Sequence, residues 1–243
     1  MFKNLLYQKL MRRIFKAYLS VKFGVKEFEI EDDAKCLCLC PHQDDESIGM
    51  GGTLAKYGKN FTVICLTNGA KGLKSLPKEE AIKVRCDEFE QALSKASISD
   101  YKVLDIEDRS LIDSYEKFSV IDIENYDYIF IPNLIDQHKD HKAVAIHLKK
   151  LLEEKKHKSS LKICMYEVWA TLALPNKSVD IENFIEIKKA MIQSYKSQIE
   201  QRDYYTPIIG LSMYRAQQLN KKFVEDFTLL SVDEYNKLVD AVY

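Results

Sequence analysis

Short apolar runs alternate with amphipathic segments along most of the chain. Runs rich in β-branched and aromatic side chains predict buried strands at residues 34–40, 61–67, 126–132 and 161–168. Weaker signals of the same kind predict strands at residues 101–104 and 223–230. Apolar residues at helical spacing predict helices at residues 47–57, 79–97, 139–154, 181–201 and 211–219.

This alternation of strand and helix predicts a Rossmann-like α/β fold, with a mostly parallel sheet and helices on both faces. Because no repeat or Gly/Pro-rich linker divides the chain, we expect one domain at residues 31–243 behind an N-terminal extension at residues 1–30. Open α/β sheets bind ligands beyond the carboxyl ends of their strands. The chemistry is therefore expected just after Cys40, Thr67 and Pro132.

The N-terminal extension is basic and amphipathic. Residues 1–26 contain seven Lys or Arg and no acidic residue, and their apolar side chains recur at helical spacing. Such a helix binds an anionic membrane surface, or it packs on its own domain or on a second subunit. Since no continuous apolar leader is present, we expect a cytoplasmic protein, with peripheral contact at the inner membrane face as a further expectation.

The overall composition limits the functional classes. The 243 residues are 46% hydrophobic and 30% charged, as in ordinary folded proteins. Lys plus Arg is 36 and Asp plus Glu is 37, so no global basic field favours nucleic acid as a partner. No apolar run approaches the roughly 18 residues of a membrane-spanning helix. Cys36, Cys38 and Cys40 share one strand face and are expected to be buried, reduced thiols.

Three of the five histidines follow two of the predicted strands. His42 lies in the sequence PHQDDE (residues 41–46), and His138 and His141 lie in DQHKDH (residues 136–141). Taken alone, the acidic run is also typical of a helix N-terminus, and the second pair is compatible with surface histidines. Because both clusters follow strands of one parallel sheet, together they favour a functional site.

The mixture of imidazoles and carboxylates suits metal-assisted amide hydrolysis. Two His and one carboxylate form a common catalytic zinc site, and His42, Asp45 and His141 are the candidate ligands. Zinc in such a site lowers the pKa of a bound water to roughly 7. Ligand type does not separate Zn²⁺ from another divalent ion such as Fe²⁺.

The remaining polar residues fit the other steps of amide hydrolysis, which needs a base, oxyanion stabilisation and a proton for the amine. Asp44 is the candidate base. His138 is the candidate for stabilising the oxyanion or protonating the amine. Asp140 is the candidate that orients His138 through its second ring nitrogen.

Further motifs accompany these clusters in a fixed order. They are His-Gln-Asp-Asp-Glu (42–46), Gly-Met-Gly-Gly-Thr (49–53), Thr-Asn-Gly (67–69), Arg85 with Glu88 and Ala92, His-Lys-Asp-His (138–141), and Lys188 or Lys189 with Tyr-Lys-Ser-Gln (195–198). Over residues 34–230 the chain resembles the LmbE/PIG-L superfamily of zinc-dependent N-acetylglucosaminyl deacetylases. The resemblance implies a three-layer LmbE-like architecture with the same metal ligands and base.

Three residues are less certain in role. By the resemblance, Arg85 and Asp108 are candidate substrate-binding residues, although a salt bridge of Arg85 with Glu88 or Asp108 is an equal alternative. Gln43 replaces the Pro that the family places between His and Asp. Since Pro fixes φ, we expect a flexible amide here and a modest effect on loop rigidity.

The resulting hypothesis is a metal-dependent hydrolase that removes an N-acetyl group from an amino sugar. The expected substrate is an N-acetylglucosamine-type residue of a glycan, glycolipid or glycoside, attached to a lipid or a nucleotide among other aglycones. A non-hydrolytic nucleotide- or sugar-binding protein is the alternative, although no Gly-x-Gly-x-x-Gly follows the first strand. A degenerate family member that serves as a subunit is a third class. Homo-oligomerisation stays open.

Overall fold

The computed structural model describes residues 24–243. Eight strands lie in this range: β1 (Lys26–Glu27), β2 (Cys36–Cys40), β3 (Phe61–Thr67), β4 (Tyr101–Ile106), β5 (Tyr128–Pro132), β6 (Lys162–Tyr166), β7 (Lys177–Asp180) and β8 (Val224–Ser231). The α-helices of the same range are α1 (Asp45–Tyr57), α2 (Lys78–Lys95), α3 (Tyr115–Phe118), α4 (Lys139–Glu154), α5 (Ile185–Ser194), α6 (Lys196–Ile199), α7 (Tyr205–Ala216) and α8 (Val232–Val242). The predicted strands and the helices predicted at residues 47–57, 79–97 and 139–154 are confirmed to within a few residues, whereas the helix predicted at residues 211–219 begins earlier, at Tyr205.

The strands form one mixed sheet. Across residues 24–243 its order is β1-β7-β8-β6-β5-β2-β3-β4. Neighbouring strands are parallel except at β8, which is antiparallel to β6 and β7. The predicted fold class is therefore confirmed. The chain runs from β2 through β3 and β4 to one edge, and β5 lies on the other side of β2. The strand order thus reverses between β2 and β5, where such sheets bind ligands.

Alternate residues of the central strand face opposite layers of helices. Cys36, Cys38 and Cys40 pack in the core beneath α1, α2 and α5. Leu37 and Leu39 pack in the core beneath α4 and α8. All three cysteines are buried and unpaired, as predicted. Because β2 is packed on both faces, its position in the sheet is fixed, and so is the start of the loop that follows it.

The helix predicted for residues 181–201 is interrupted. A short 3₁₀ turn precedes α5, and Tyr195 leaves the helical conformation (φ −84°, ψ 57°) between α5 and α6. Its buried hydroxyl donates a hydrogen bond to Glu46 Oε1 at 2.5 Å. Apolar spacing could not reveal the break, because both pieces keep the same buried face.

Strands β1 and β7 were not predicted. They contain two and four residues, and they pair in parallel at one edge of the sheet. Short polar edge strands lack the alternation on which sequence prediction depends. Their pairing fixes the start of the described chain against the sheet.

Helix α1 is hydrogen-bonded to strand β8, which is distant in the sequence. The helix is distorted at Met50 (φ −148°, ψ 25°). Just beyond it, the N–H groups of Gly52 and Thr53 donate to the Glu225 carboxylate at 2.9 and 2.6 Å. Lys188 of α5 donates to the same carboxylate at 2.6 Å. A buried ion pair thereby satisfies backbone groups that the distortion releases.

The predicted N-terminal helix, with its membrane or subunit contact, concerns residues 1–26, and its residues 1–23 lie outside the described part of the chain. Within residues 24–243, none of the helices combines the length and apolar character needed to cross a membrane.

Candidate metal centre and active site

The loops after β2 and β5 bring the two histidine clusters together. His42 follows β2, and His138 and His141 lie at the start of α4 after β5. The ring centroids of His42 and His141 are 5.5 Å apart, and those of His42 and His138 are 4.6 Å apart. One nitrogen from each of the three rings falls within 4.8 Å of the other two. Residues almost a hundred positions apart thus converge at the predicted edge of the sheet.

Asp45 lies between two of the imidazoles. Its Oδ2 atom is 3.2 Å from His42 Nδ1 and 3.2 Å from His141 Nε2. The backbone N–H of His42 also donates to this oxygen at 2.9 Å. One carboxylate oxygen of Asp45 therefore lies close to one nitrogen of each of the other two predicted ligands.

The opposite nitrogen of each imidazole faces a further buried carboxylate. His42 Nε2 is 3.0 Å from Asp140 Oδ2, and His141 Nδ1 is 3.1 Å from Asp136 Oδ2. A carboxylate that hydrogen-bonds the outer nitrogen, as Asp140 does for His42, holds a proton there, and the inner nitrogen of a neutral ring then keeps a lone pair for a metal. Histidines that bind metals in proteins are commonly oriented in this way.

The donor set fits a divalent cation. Asp45 Oδ1 and His141 Nε2 are buried without a hydrogen-bond partner among the described residues. Burial alone would lower the pKa of His141, but Asp45 and Asp136 raise it to about 9. Burial likewise opposes ionisation of Asp45, yet the charge on His141 lowers its pKa below the ordinary range. The site thus stabilises positive charge at its centre, and nitrogen and carboxylate donors suit zinc or a similar ion.

Asp44 occupies a rare backbone conformation beside the metal-ligand candidates. Its φ angle is 128°, which non-glycine residues seldom adopt. Arg85 pairs with its carboxylate at 3.1 Å and also donates to the carbonyl oxygen of Gln43. Burial raises the pKa of Asp44 to about 7, even though Arg85 opposes the rise. A carboxylate with such a pKa suits proton transfer near neutral pH.

Arg85 itself is buried and makes two ion pairs. Besides Asp44, its Nη1 lies 3.5 Å from Glu88 Oε2. The salt bridge to Glu88 that the sequence left open is therefore present. Arg85 also reaches the wall of the cavity described below, so binding of substrate by Arg85 stays a prediction.

The placement of Asp140 corrects one predicted contact. Its carboxylate lies 3.0 Å from His42 but 3.9 Å from His138 Nδ1. His138 is the N-cap of α4, and its Nδ1 accepts the backbone N–H of Asp140 at 3.2 Å. Because Asp140 lies in the first turn of α4, its backbone N–H points back to the His138 ring, and its carboxylate points away from that ring. The backbone of Asp140 thus orients His138, and its side chain orients His42.

Asp108 holds a loop at the cavity wall. Its two carboxylate oxygens accept the N–H groups of Gly69 and Lys71 at 3.0 and 2.8 Å. Contact with a sugar hydroxyl would use the remaining lone pairs, and it stays a prediction.

Gln43 is not the flexible amide that was expected. Its side chain is fully buried and donates to the carbonyl oxygen of Thr67 at 3.1 Å. Its Oε1 lies 2.2 Å from the position of a Cβ at Gly69, whose φ is +70°. The loop after β2 is therefore fixed by a hydrogen bond in place of a proline ring, and this packing requires glycine at position 69.

A cavity of about 240 Å³ opens onto these residues. Its wall contains the predicted site residues His42, Asp44, Asp45, Arg85, Asp108 and His138. His141 and Asp140 are almost fully buried beneath it. The predicted residues therefore form one site, with the metal-ligand candidates at its floor.

Sequence reasoning missed several residues that shape the site. Asp136 contacts His141, and Glu46 accepts hydrogen bonds from Ser47 and Tyr195 at 2.6 and 2.5 Å. Asp136 stands in the same motif as the histidines, so its position was the available signal. No sequence signal distinguishes the buried Glu46 from the acids beside it.

A family comparison supports the resemblance seen in the motifs. The model of the PIG-L family, described as GlcNAc-PI de-N-acetylase, matches residues 37–151, just under half of the chain. That segment carries the metal-ligand candidates, the candidate base and His138. Over these residues the chain is similar to the PIG-L family.

Solved structures share the fold. N,N'-diacetylchitobiose deacetylase from Pyrococcus horikoshii is 20% identical with a TM-score of 0.69, over 96% of this chain and 94% of that one. The 4-carboxy-2-hydroxymuconate hydratase GalB from Pseudomonas putida is 17% identical with a TM-score of 0.65, over 81% and 96%. The zinc-inhibited form of teicoplanin deacetylase Orf2 is 15% identical with a TM-score of 0.63, over 81% and 97%. At such identities the likeness shows the fold alone, and the fold serves more than one reaction.

Proposed function

We propose that the protein is a metal-dependent N-deacetylase of an amino sugar. The observation that carries the proposal is the position of Asp45 Oδ2, 3.2 Å from one nitrogen each of His42 and His141, beside a cavity that His42 and Asp45 line. The family match supports deacetylation as the reaction. The deacetylases with the same fold support a sugar-containing substrate.

We assign the metal to His42, Asp45 and His141 rather than to the three histidines. The backbone N–H of Asp140 donates to His138 Nδ1, so a neutral His138 carries its proton on Nε2. That nitrogen is then a donor and has no lone pair for a metal. Asp45 instead places its carboxylate Oδ2 3.2 Å from a nitrogen of each of the other two rings, and its second oxygen is buried without a hydrogen-bond partner among the described residues.

Each residue of the site has a separate role in the proposed hydrolysis. A divalent metal in this site supplies an acidified water and polarises the acetyl carbonyl. Asp44 accepts a proton, since its raised pKa lies close to neutral pH. His138 donates through Nε2 to the developing oxyanion or to the departing amine. Arg85 holds Asp44 in position through its ion pair.

The proposed substrate is an N-acetylglucosamine-type residue within a larger molecule. The proposal includes three further predictions. The aglycone is linked to a lipid or a nucleotide, residues 1–26 contact a membrane, and the subunits associate.

The deciding experiment measures acetate release from N-acetyl sugars presented free, nucleotide-linked and lipid-linked. The protein is stripped with a chelator and reloaded with zinc up to one equivalent, and then with excess zinc. We expect release only after reloading, and none from the His141→Ala variant, which should also lose bound metal. Stoichiometric zinc in that variant would refute the ligand assignment. Tight sugar or nucleotide binding by the stripped protein, without acetate release after reloading, would favour the non-hydrolytic alternative.

A further inference from the structure

Trp169 stands at the mouth of the cavity with much of its ring uncovered. It is the single tryptophan of the chain and is 44% exposed. It lines the same cavity as His42 and Asp44 but lies outside the machinery assigned above. The resemblance to the family assigns it no role.

The segment that carries Trp169 is held firmly. Its backbone N–H donates to Asp136 Oδ2 at 3.0 Å, the same oxygen that contacts His141. Asn133 donates to the carbonyl oxygen of Thr171 at 3.1 Å. The N–H of Leu172 donates to Glu167 at 2.6 Å. The backbone that carries the indole is thus fixed relative to the metal-ligand candidates, as a specificity element requires.

A second aromatic side chain packs against Trp169. The half-buried Tyr204 packs edge-on against Trp169, with centroids 5.1 Å apart and planes at 66°. The Arg202 guanidinium lies 5.9 Å from both rings. Aromatic faces are electron-rich and attract cations and polarised C–H groups. The apolar face of a sugar ring presents C–H groups of that kind. We call these two rings the Trp169–Tyr204 platform.

The size of the cavity places a second sugar at this platform. Its volume is about 240 Å³. Pockets that enclose a drug-sized ligand are larger, roughly 300–1,000 Å³. The cavity therefore has room for about one N-acetyl sugar ring, and Trp169 and Tyr204 line its wall, where they are available to contact a unit attached to that ring.

We propose that the Trp169–Tyr204 platform is a binding subsite for a second sugar ring attached to the N-acetyl sugar. The proposal rests on the deacetylase function above and narrows its substrate class. The preferred substrate is a glycoside whose aglycone presents an apolar ring face, such as a disaccharide, rather than a free monosaccharide.

The kinetic test compares N-acetylglucosamine with its β-1,4-linked disaccharide. Trp169→Ala should lower kcat/KM at least about 10-fold for the disaccharide and leave the monosaccharide within about 3-fold, while Trp169→Phe retains most of the preference. The control is Tyr214→Ala, an aromatic truncation on α7 whose ring is 65% exposed and does not line the cavity. Equal losses on both sugars, or no loss on either, would overturn the subsite.

A binding test separates the subsite from catalysis. Since Trp169 is the only tryptophan, emission excited at a wavelength that tyrosine does not absorb reports on this ring alone. In chelator-treated protein, the disaccharide should change the emission saturably, and the monosaccharide should not. The absence of a saturable change, or an equal change with both sugars, would overturn the subsite. If the metal-loaded protein releases no acetate from either sugar, the proposed function fails, and the emission titration still decides the subsite.

Discussion

Single residues of the site owe their positions to backbone constraints as well as to side-chain contacts. Asp44 sits at φ 128°, and Gly69 at φ +70° packs against Gln43. Strained conformations persist where surrounding contacts determine them, and here those contacts are the ion pair with Arg85 and the hydrogen bond from Gln43 to Thr67. The candidate base is therefore held in place before substrate binds.

Replacing Asp44 with Asn should abolish proton transfer and preserve the fold. Asn tolerates positive φ about as well as Asp, so the backbone is not newly strained. We expect normal zinc content and at least about a 100-fold loss of kcat. Metal analysis and acetate-release kinetics on the same preparation check this. Wild-type turnover in the variant would move the base to another residue.

Asp136→Asn should weaken metal binding rather than remove it. The change withdraws the carboxylate charge that lies 3.1 Å from His141 Nδ1. Loss of such a partner typically costs about 10- to 100-fold in metal affinity. Competition titrations with a zinc chelator measure the change, with Asp33→Asn, an exposed aspartate, as the control. Affinities equal to wild type would show that Asp136 does not orient His141.

At this scale the sequence predicted which side chains lie together at the cavity, but it did not predict the residues that support them. His42, Asp45 and His141 were predictable because their residue types and their positions after strands both point to metal chemistry. The partner of the Asp140 carboxylate was not predictable, because the side chain of Asp140 contacts His42 and its backbone N–H contacts His138. That distinction depends on the start of α4, which a motif does not reveal.

Secondary-structure elements are joined at the site by buried polar contacts as well as by apolar packing. Glu225 of β8 binds the backbone of α1, and Lys188 of α5 completes the pair. Strand β8 was predicted from its apolar run, but its antiparallel direction and this contact were not. Only tertiary structure shows which of the neighbours Lys188 and Lys189 is buried.

Those two lysines provide a matched comparison. Lys188→Ala leaves Glu225 buried without its charge partner, which typically costs about 3–5 kcal/mol of unfolding free energy. Lys189→Ala removes a pair with the exposed Glu186, and we expect a change of about 1 kcal/mol or less. Urea denaturation of both variants measures the difference. Similar losses in the two would mean that the buried pair does not stabilise α1.

The stability of the whole molecule should depend on pH through a group remote from the site. Asp226 of β8 is buried between Arg215 and Glu167, and burial raises its pKa from 3.8 to about 6. Since the folded pKa is raised, its contribution to stability is fully present below pH 3.8 and is lost as pH rises through 6. The loss is at most about 3 kcal/mol.

Asp226→Asn removes this titration. The unfolding free energy of the variant, relative to wild type, should rise between pH 4 and pH 7, by up to about 3 kcal/mol. Urea denaturation across that interval measures the difference between the two proteins, which cancels most other titrations. A difference that is constant with pH would contradict the raised pKa.

Strand β8 also sets the order in which the sheet can be completed. It is the last described strand along the chain, yet it lies in the interior of the sheet and joins β6 to the β1–β7 pair. Until the ribosome has released residue 231, a nascent chain therefore presents an open edge at β6 and a detached two-strand ribbon. The unpaired backbone groups of an open edge can pair with strands of other chains, which leads to aggregation. Chaperone protection during synthesis should matter most in that interval, when helix α1 has been synthesised and the strand whose Glu225 binds it has not.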